Sequence, residues 1–236
     1  MNTYGRMSIP SGTLVLVDPC YINPAMLSLV RIGAKSENER EHLVIHVEGV
    51  SEATIRYQLD PETSRLAAVE IVFDEAESHS MGRIGDIWVD SGQMSYCDAQ
   101  HLLDHWKEAP YLDIRKYRNV EDGRILQYQL DFPNYEAPIA SAGGSTMNSL
   151  IAGGQWEKMP YDGPIETDYN GMSHCHDDGD GLGMVGDHVL VTDTGWGDGS
   201  YPVEKFMTRD GRLARLRVVF IEETDEDGEG EDDDEK

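Results

Sequence analysis

Short runs in which hydrophobic and polar residues alternate dominate this chain, and they predict a mainly β fold. The run from Thr13 to Asp18 is of this kind, as are the runs on both sides of Asp60-Pro61. Alternation with a period of two places every second side chain on one buried face of a sheet. Turn residues between the runs favour antiparallel hairpins. Strands are predicted over residues 13–18, 42–47, 53–59, 65–73, 84–89, 93–97, 125–132, 188–192, 201–207 and 213–221.

Two predicted strands run directly into a side-chain cap and a short helix. Asn23 and the proline after it predict a helix over residues 24–32, because asparagine caps helices and proline suits the first helical position. Asp98 is predicted to cap a helix over residues 99–107. A third helical turn is predicted near residues 146–151. The expected fold class is mainly β (α+β), with two or three short helices.

Two segments of the chain are similar to each other. Residues 42–75 and 188–222 align with one inserted residue, which places His42 opposite His188. Further matches pair Gly49 with Gly195, Arg65 with Arg212, and Phe73 with Phe220. Upstream, residues 11–19 resemble residues 91–99, since Ser-Gly precedes an aspartate at the same spacing in both. The matches indicate internal duplication; the alternative is a chance resemblance between amphipathic hairpins.

Duplication predicts two related antiparallel β units packed together. The first unit is predicted over residues 1–82 and the second over residues 83–221, with a long loop insertion at about 134–181. Residues 222–236 hold eleven acidic residues and one lysine, which predicts an acidic disordered tail.

A glycine-rich loop follows the strand that ends near Thr192. Gly195, Gly197 and Gly199 alternate there with Trp196 and Asp198. Glycine accepts positive φ and lets a backbone or a ligand approach closely. Two interpretations stay open, a structural turn with the tryptophan buried as core, or a small pocket.

The charge of the chain excludes some partners. Its net charge is −26, and the residues before the tail are acidic in their own right. Direct binding to nucleic acid or to an anionic membrane needs basic patches, so neither is expected. A basic protein surface is a possible partner.

Cysteine usage and the apolar runs bear on location. The three cysteines, Cys20, Cys97 and Cys175, cannot all pair within one chain, and they show no CxxC spacing. No run reaches the roughly 18 apolar residues of a membrane helix. A reduced, cytoplasmic protein is expected.

Residues 173–180, SHCHDDGD, contain the side chains that transition metals prefer. Their spacing is poor for one tetrahedral ion, so a solvated acidic loop is the favoured interpretation and no metal is predicted. No Walker, Rossmann or Gly-x-Ser-x-Gly motif occurs, and no cofactor is predicted. Four aspartates stand at predicted strand ends, Asp18, Asp90, Asp193 and Asp198. They suit either acid–base chemistry or turn hydrogen bonds.

Several of these motifs carry a family resemblance. Residues 18–21 (DPCY), 90–93 (DSGQ), 194–203 (TGWGDGSYPV) and 210–212 (DGR) resemble the domain of unknown function 4241 family. The resemblance implies a bacterial or phage cytoplasmic protein. It implies no activity.

Three functions are compatible with the sequence. The first is a module that binds a small polar, possibly nucleotide-like, ligand at the glycine-rich loop. The second is an acidic interaction or inhibitor protein that binds a basic surface of a host protein. The third is a hydrolase that uses strand-end aspartates, so enzymatic activity is undecided. The candidate ligand-binding residues are Asp18, Cys20, Tyr21, Asp90, Ser91, Thr194, Trp196, Asp198 and Tyr201.

Overall fold

The computed structural model describes residues 1–34, 40–111, 115–176 and 179–222. It is mainly β with antiparallel sheets, as expected from the alternating runs. The first part of the chain forms β1 (Asn2–Ser8), β2 (Thr13–Val17), α1 (Pro24–Arg31), β3 (His42–His46), β4 (Glu52–Leu59) and β5 (Leu66–Val72). The second part forms β6 (Ser80–Val89), β7 (Gln93–Asp98), α2 (Ala99–His105), β8 (Lys116–Asn119), β9 (Ile125–Gln127), α3 (Met147–Ala152), β10 (Trp156–Lys158), α4 (Tyr169–His174), β11 (Leu182–Val185), β12 (Val189–Asp193), β13 (Gly199–Met207) and β14 (Leu213–Val219). The described residues thus contain four short α-helices, where two or three were expected.

Two sheets enclose the main core. One has six strands in the order β1-β4-β5-β14-β13-β6, and the other has five in the order β11-β12-β7-β2-β3. In β2, Leu14 and Leu16 belong to the core between the sheets. Val15 and Val17 belong to a second core with residues of α1 and α2. The five-stranded sheet is therefore buried on both faces, which is why β2 is apolar from Leu14 to Val17.

The order of the elements repeats along the chain. β1, β2, α1, β3, β4 and β5 correspond to β6, β7, α2, β12, β13 and β14. In the six-stranded sheet, exchanging each strand for its counterpart reproduces the same order from the opposite edge. The two halves meet where β5 pairs with β14 and where β2 pairs with β7. Strands of both halves thus contribute to both sheets.

The pairing register repeats as well. Gly5 lies opposite Ile55, and its counterpart Gly85 lies opposite Val203. The register shifts directly after each of these pairs, so the same β-bulge occurs in both edge strands. A bulge at one matching position is a specific feature of a strand pair. Its recurrence supports duplication over a chance resemblance.

Two expected matches, His42 with His188 and Gly49 with Gly195, are wrong by one residue. Thr13 lies opposite His46, and the corresponding Gln93 lies opposite Asp193. His46 is therefore the counterpart of Asp193, which makes His42 the counterpart of Val189 instead of His188. The halves differ in length at the loops on both sides of β4 and β13, where a sequence alignment has few residues to hold its register.

Buried aspartates join the two halves reciprocally. Asp98 caps α2 by accepting from the His101 N–H at 2.9 Å, and its other oxygen accepts from the Ser11 N–H and hydroxyl at 3.0 and 2.6 Å. Its counterpart Asp18 accepts from the hydroxyl and N–H of Ser91 at 2.6 and 2.9 Å. Each half therefore supplies the aspartate that holds the Ser-Gly turn of the other half.

Charges alternate across the face of the six-stranded sheet that points away from the core. The register places Arg56, Glu70, Arg217, Glu204 and Arg83 side by side on five successive strands. Opposite charges on neighbouring strands contribute roughly 0.2–1 kcal/mol per pair. Glu70 is only 6% exposed on this outer face, and its Oε1 lies 3.6 Å from Nε of Arg215 on the neighbouring strand.

The insertion in the second half begins earlier than the predicted residue 134, because the elements without a counterpart in the first half start with β8, after α2, and end before β12. It contains secondary structure and a core of its own. β10, β8 and β9 form a three-stranded sheet, and residues including Tyr117, Phe132 and Trp156 pack together. The helical turn expected near 146–151 is confirmed as α3, with Thr146 as its cap. The strand expected over 125–132 is confined to β9. Strands of three or four residues are too short for alternation to reveal them.

The predicted acidic tail lies outside the described residues from position 223 onward, and that prediction stays open. The division predicted after residue 82 falls within β6. Within the described ranges, no helix combines the length and the apolar character that crossing a membrane requires.

Three imidazoles stack where α2 meets the start of β12. The His101 ring lies between His105 and His188, with ring centroids 4.3 and 4.6 Å apart. Burial lowers the pKa of His101, and the two neighbouring imidazoles lower it further.

Replacing Asp98 with alanine is expected to lower the free energy of unfolding by about 2–4 kcal/mol. The change removes the cap of α2 and, with the buried Asp98 carboxylate, the acceptor of the Ser11 N–H and hydroxyl. Chemical denaturation measures the loss. Asp104→Ala, on the exposed side of the same helix, is the matched control and should stay within about 0.5 kcal/mol of the wild type. Equal effects of the two changes would contradict the proposed joining role.

His101 is expected to titrate below its ordinary pKa of 6.5. Between the lowered pKa and 6.5 the unfolded chain binds a proton there more readily than the folded chain, so stability falls as the pH falls through this window. NMR titration of the imidazole measures the pKa directly. In parallel, the melting temperature of His101→Gln should fall less than that of the wild type between pH 7.5 and 5. A normal or raised pKa would refute this expectation.

Candidate functional site

The glycine loop, residues 194–198, joins β12 to β13, and hydrogen bonds from buried side chains fix its conformation. The Tyr201 hydroxyl lies 3.0 Å from the Thr194 carbonyl oxygen and 2.7 Å from that of Gly197. The Thr194 hydroxyl donates to the Gly197 carbonyl at 2.6 Å, and the Thr194 N–H donates to Gly92 at 3.1 Å. Thr194 and Tyr201 are both buried. These two candidate residues shape the loop.

Gly195 occupies a position where only glycine fits. Its φ is +62°, and an added Cβ would lie 2.7 Å from the Leu66 carbonyl oxygen and 2.8 Å from Ile221 Cγ1. Gly197 also has a positive φ, of +99°, but an added Cβ there would meet open space. The loop is therefore packed against β5 on one side and open on the other.

Trp196 projects from the loop and is 59% exposed. The Arg65 guanidinium carbon lies 4.8 Å from the centroid of the indole, and the Arg65 Nη1 donates to the Gly195 carbonyl at 3.3 Å. The interpretation of Trp196 as a core residue is therefore wrong. An arginine stacked on an exposed indole instead holds a flat aromatic surface toward solvent.

The glycine-loop cavity, of about 500 Å³, opens beside this indole. It includes three candidate residues, Ser91, Thr194 and Trp196. Asp18 lies directly behind Ser91 and holds its turn in place. The remaining lining residues are Ser64, Arg65, Leu66, Gly92, Gly179, Asp180, Gly181, Asp193, Gly195 and Gly197.

The other candidate residues lie outside the lining of this cavity. Tyr21 donates to Asp90, and this bond raises the pKa of the tyrosine hydroxyl. Partial desolvation and then the Asp18 carboxylate raise the pKa of the Cys20 thiol, which disfavours a reactive thiolate. Asp198 is exposed at the tip of the loop.

Two lining carboxylates and one arginine were not among the candidate residues. Asp180 accepts from the Tyr57 hydroxyl at 2.5 Å. Asp193 ends β12, and its Oδ1 lies 3.6 Å from His176 Nδ1. Arg65 lies on the turn that follows β4. Position at a strand end marked Asp193 in the sequence, whereas nothing local marks Arg65 or Asp180.

The electrostatics of the cavity are mixed, with one guanidinium against two carboxylates. Arg65 is engaged by the indole and by a carbonyl group. Hydroxyl groups, backbone polar groups and an aromatic surface complete the lining. Such a lining can orient a small polar molecule by hydrogen bonds and stacking.

The metal-preferring segment is only partly described, since residues 177 and 178 lie outside the described ranges. Across the described residues, no three His, Cys, Asp or Glu side chains are grouped closely enough to hold a metal ion. His174 stacks on Tyr161, with ring centroids 4.6 Å apart.

Gly195→Ala is expected to lower the free energy of unfolding by about 1–3 kcal/mol more than Gly197→Ala does. Both changes place alanine at positive φ, but only the first also drives a Cβ into backbone and side-chain atoms. Thermal or chemical unfolding of the two variants measures the difference. Equal losses would contradict the packing of Gly195 against β5.

Comparison with known proteins identifies no relative. No protein-family model, curated protein or solved structure matches the chain. The resemblance to the domain of unknown function 4241 family therefore stays a prediction from the residues that carry it. What the chain binds has to be inferred from the geometry and charges of its own cavities.

Proposed function

We propose that this protein binds a small polar ligand in the glycine-loop cavity. The observation that carries the proposal is the 59% exposed Trp196, held by Arg65 at the mouth of a 500 Å³ cavity. An exposed indole with an arginine stacked on one face offers a preorganised aromatic surface on which a ligand can stack. Pockets that combine an aromatic surface with a few fixed polar groups are typical of small-ligand sites.

The asymmetry between the halves supports the proposal. The first-half loop that corresponds to the glycine loop reads Val47-Glu48-Gly49-Val50-Ser51 and carries no aromatic residue. Both loops make the same anchoring bond, from Val47 to Gly12 and from Thr194 to Gly92. Because both loops make this hydrogen bond, we assign it to stabilising the fold. Trp196 occurs in the second-half loop and has no aromatic counterpart in the first, so we assign it to ligand binding.

The charges favour a neutral or cationic ligand. Asp180 and Asp193 both line the cavity, and the chain as a whole has a net charge of −26. A phosphate group would meet like charges there, and the one arginine is already stacked and hydrogen-bonded. Within the nucleotide-like class, a nucleoside therefore fits better than the corresponding nucleotide. A sugar likewise fits better than a sugar phosphate.

The contacts of Asp18 favour a structural role for this strand-end aspartate over hydrolysis. Both oxygens of Asp18 accept hydrogen bonds, from the Cys20 N–H and the Asp90 N–H at 2.8 and 2.7 Å and from Ser91. A general base needs a lone pair that faces the substrate.

The expected cytoplasmic location is part of the proposal. Its support is that all three cysteines lie within the described ranges and none of them forms a disulfide.

A thermal-shift panel of sugars, nucleosides, amines and nucleotides tests the proposal. A ligand at about 100 times its Kd should raise the melting temperature by roughly 5 °C or more. Trp196→Ala and Arg65→Met should abolish the shift, because they remove the stacking surface and its support. Trp88→Ala is the matched control, since Trp88 also carries an arginine over its ring, Arg40, but lies outside the lining of the cavity.

Two outcomes would contradict the proposal. One is a panel in which no compound raises the melting temperature of the wild type. The other is a shift that survives Trp196→Ala. Nucleotides that stabilise as strongly as their nucleosides would refute the inferred preference against phosphate.

A further inference from the structure

A second hollow adjoins Trp196. This hollow, the Ile221 groove, has a volume of about 340 Å³. Its apolar lining includes Pro61, Ala67, Ile221 and Trp196, and its acidic lining consists of Asp60, Glu62 and Glu222. Gln58 and Thr63 complete it. Arg65 lines the glycine-loop cavity and is not part of this groove.

The carboxylates of the groove have no basic partner among the described residues. Asp60 accepts from the Thr63 hydroxyl at 2.5 Å and from the Glu62 N–H at 3.2 Å, so it organises its own turn. Glu62 and Glu222 are exposed, and within the part of the chain that the structure describes neither carboxylate has an ion pair. An acidic rim above an apolar floor suits a cation carried on an apolar stem.

This groove joins the turn between β4 and β5 to the end of β14, so its counterpart joins the turn between β13 and β14 to the end of β5. The Asp60 N–H donates to the Arg65 carbonyl at 2.7 Å, as the Thr208 N–H donates to the Arg212 carbonyl at 2.8 Å. Arg212 is therefore the counterpart of Arg65.

A second matching set of bonds equates the ends of β5 and β14. The Phe220 and Ile221 N–H groups both donate to the Ala67 carbonyl. In the other half, the Phe73 and Asp74 N–H groups both donate to the Ala214 carbonyl. Asp74 and Glu75 are therefore the counterparts of Ile221 and Glu222.

Arginines occupy the acidic counterpart of the groove. Arg212 Nη1 lies 2.8 Å from Asp74 Oδ2, and Arg212 Nε lies 2.8 Å from Asp210 Oδ2. Arg56 Nη2 lies 2.8 Å from both oxygens of Glu75. The molecule thus shows two guanidinium groups bound by carboxylates at this place.

The Ile221 groove keeps carboxylates but has neither arginine in place. The Arg65 guanidinium instead stacks on Trp196 and donates to the Gly195 carbonyl. Glu204 stands where the first half has Arg56, because each lies opposite the central Glu70–Arg217 pair. Glu222 is therefore left without the arginine that binds its counterpart Glu75. Glu62 lies in the turn that corresponds to the turn of Asp210, and it lacks the arginine that binds Asp210.

We propose that the Ile221 groove binds a lysine or arginine side chain presented by a partner polypeptide. The cationic group lies between Glu62 and Glu222, and its aliphatic stem packs on Ile221 and Trp196. The net charge of −26 attracts a basic partner and speeds the encounter, whereas the groove selects where a basic side chain docks.

Fluorescence anisotropy with a labelled hexa-arginine peptide tests this site on the full chain. The double variant Glu62→Gln/Glu222→Gln should raise the Kd about tenfold, which corresponds to two exposed charge pairs. Glu48→Gln/Glu77→Gln is the matched control, because it removes the same two charges from exposed positions outside the groove. The control should change the Kd less than about twofold, since both double variants weaken the general attraction equally.

Equal weakening by the two double variants would overturn the proposal, because it would show attraction by overall charge alone. Absence of measurable binding to the wild type at low salt would overturn it as well. Melting temperatures within about 2 °C of the wild type for both variants show that folding is intact. Glu62 and Glu222 do not line the glycine-loop cavity, so failure here leaves the small-ligand proposal standing, and the reverse also holds.

Discussion

Two buried aspartates, Asp18 and Asp98, connect the two halves of this protein by hydrogen bonds across the boundary between them. A carboxylate removed from water is stable only when its oxygens meet donors. Asp98 obtains donors from its own helix and from Ser11, and Asp18 obtains them from its own turn and from Ser91. Neither half satisfies its aspartate alone, so the halves fold together. The same bonds place the Ser91 turn beside the glycine loop.

Duplication constrains the strands of this molecule more than its loops. A change of register would move every buried side chain of a strand to the opposite face, so even the bulges are the same in both edge strands. Loops face solvent and tolerate change. The second half has a tryptophan in its loop, and Arg65 of the first half stacks on that ring. Because Arg65 contacts Trp196, the glycine-loop cavity has mixed charge, whereas the neighbouring Ile221 groove is acidic.

The alternating runs predicted the main strands well because a half-buried strand imposes its period on the residues that form it. Caps at Asn23 and Asp98 were equally readable, since a side chain that binds its own helix acts within a few residues. The strands of the insertion could not be read from the sequence, because they are short and are stabilised by aromatic packing between residues that are distant in the chain, such as Tyr117 and Phe132. The shift of one residue at His42 arose at loops of unequal length.

Residue order alone revealed the glycine loop, its tryptophan and the duplication that contains it, because each is a pattern among neighbours in the chain. It did not reveal that Arg65 and Asp180 share a cavity with Ser91, since strand pairing brings these distant segments together. Arg65 and Arg212 occupy matching places, yet one stacks on an indole and the other binds two carboxylates. The partner of a long flexible side chain depends on what surrounds it in space, and that environment exists only in the folded molecule.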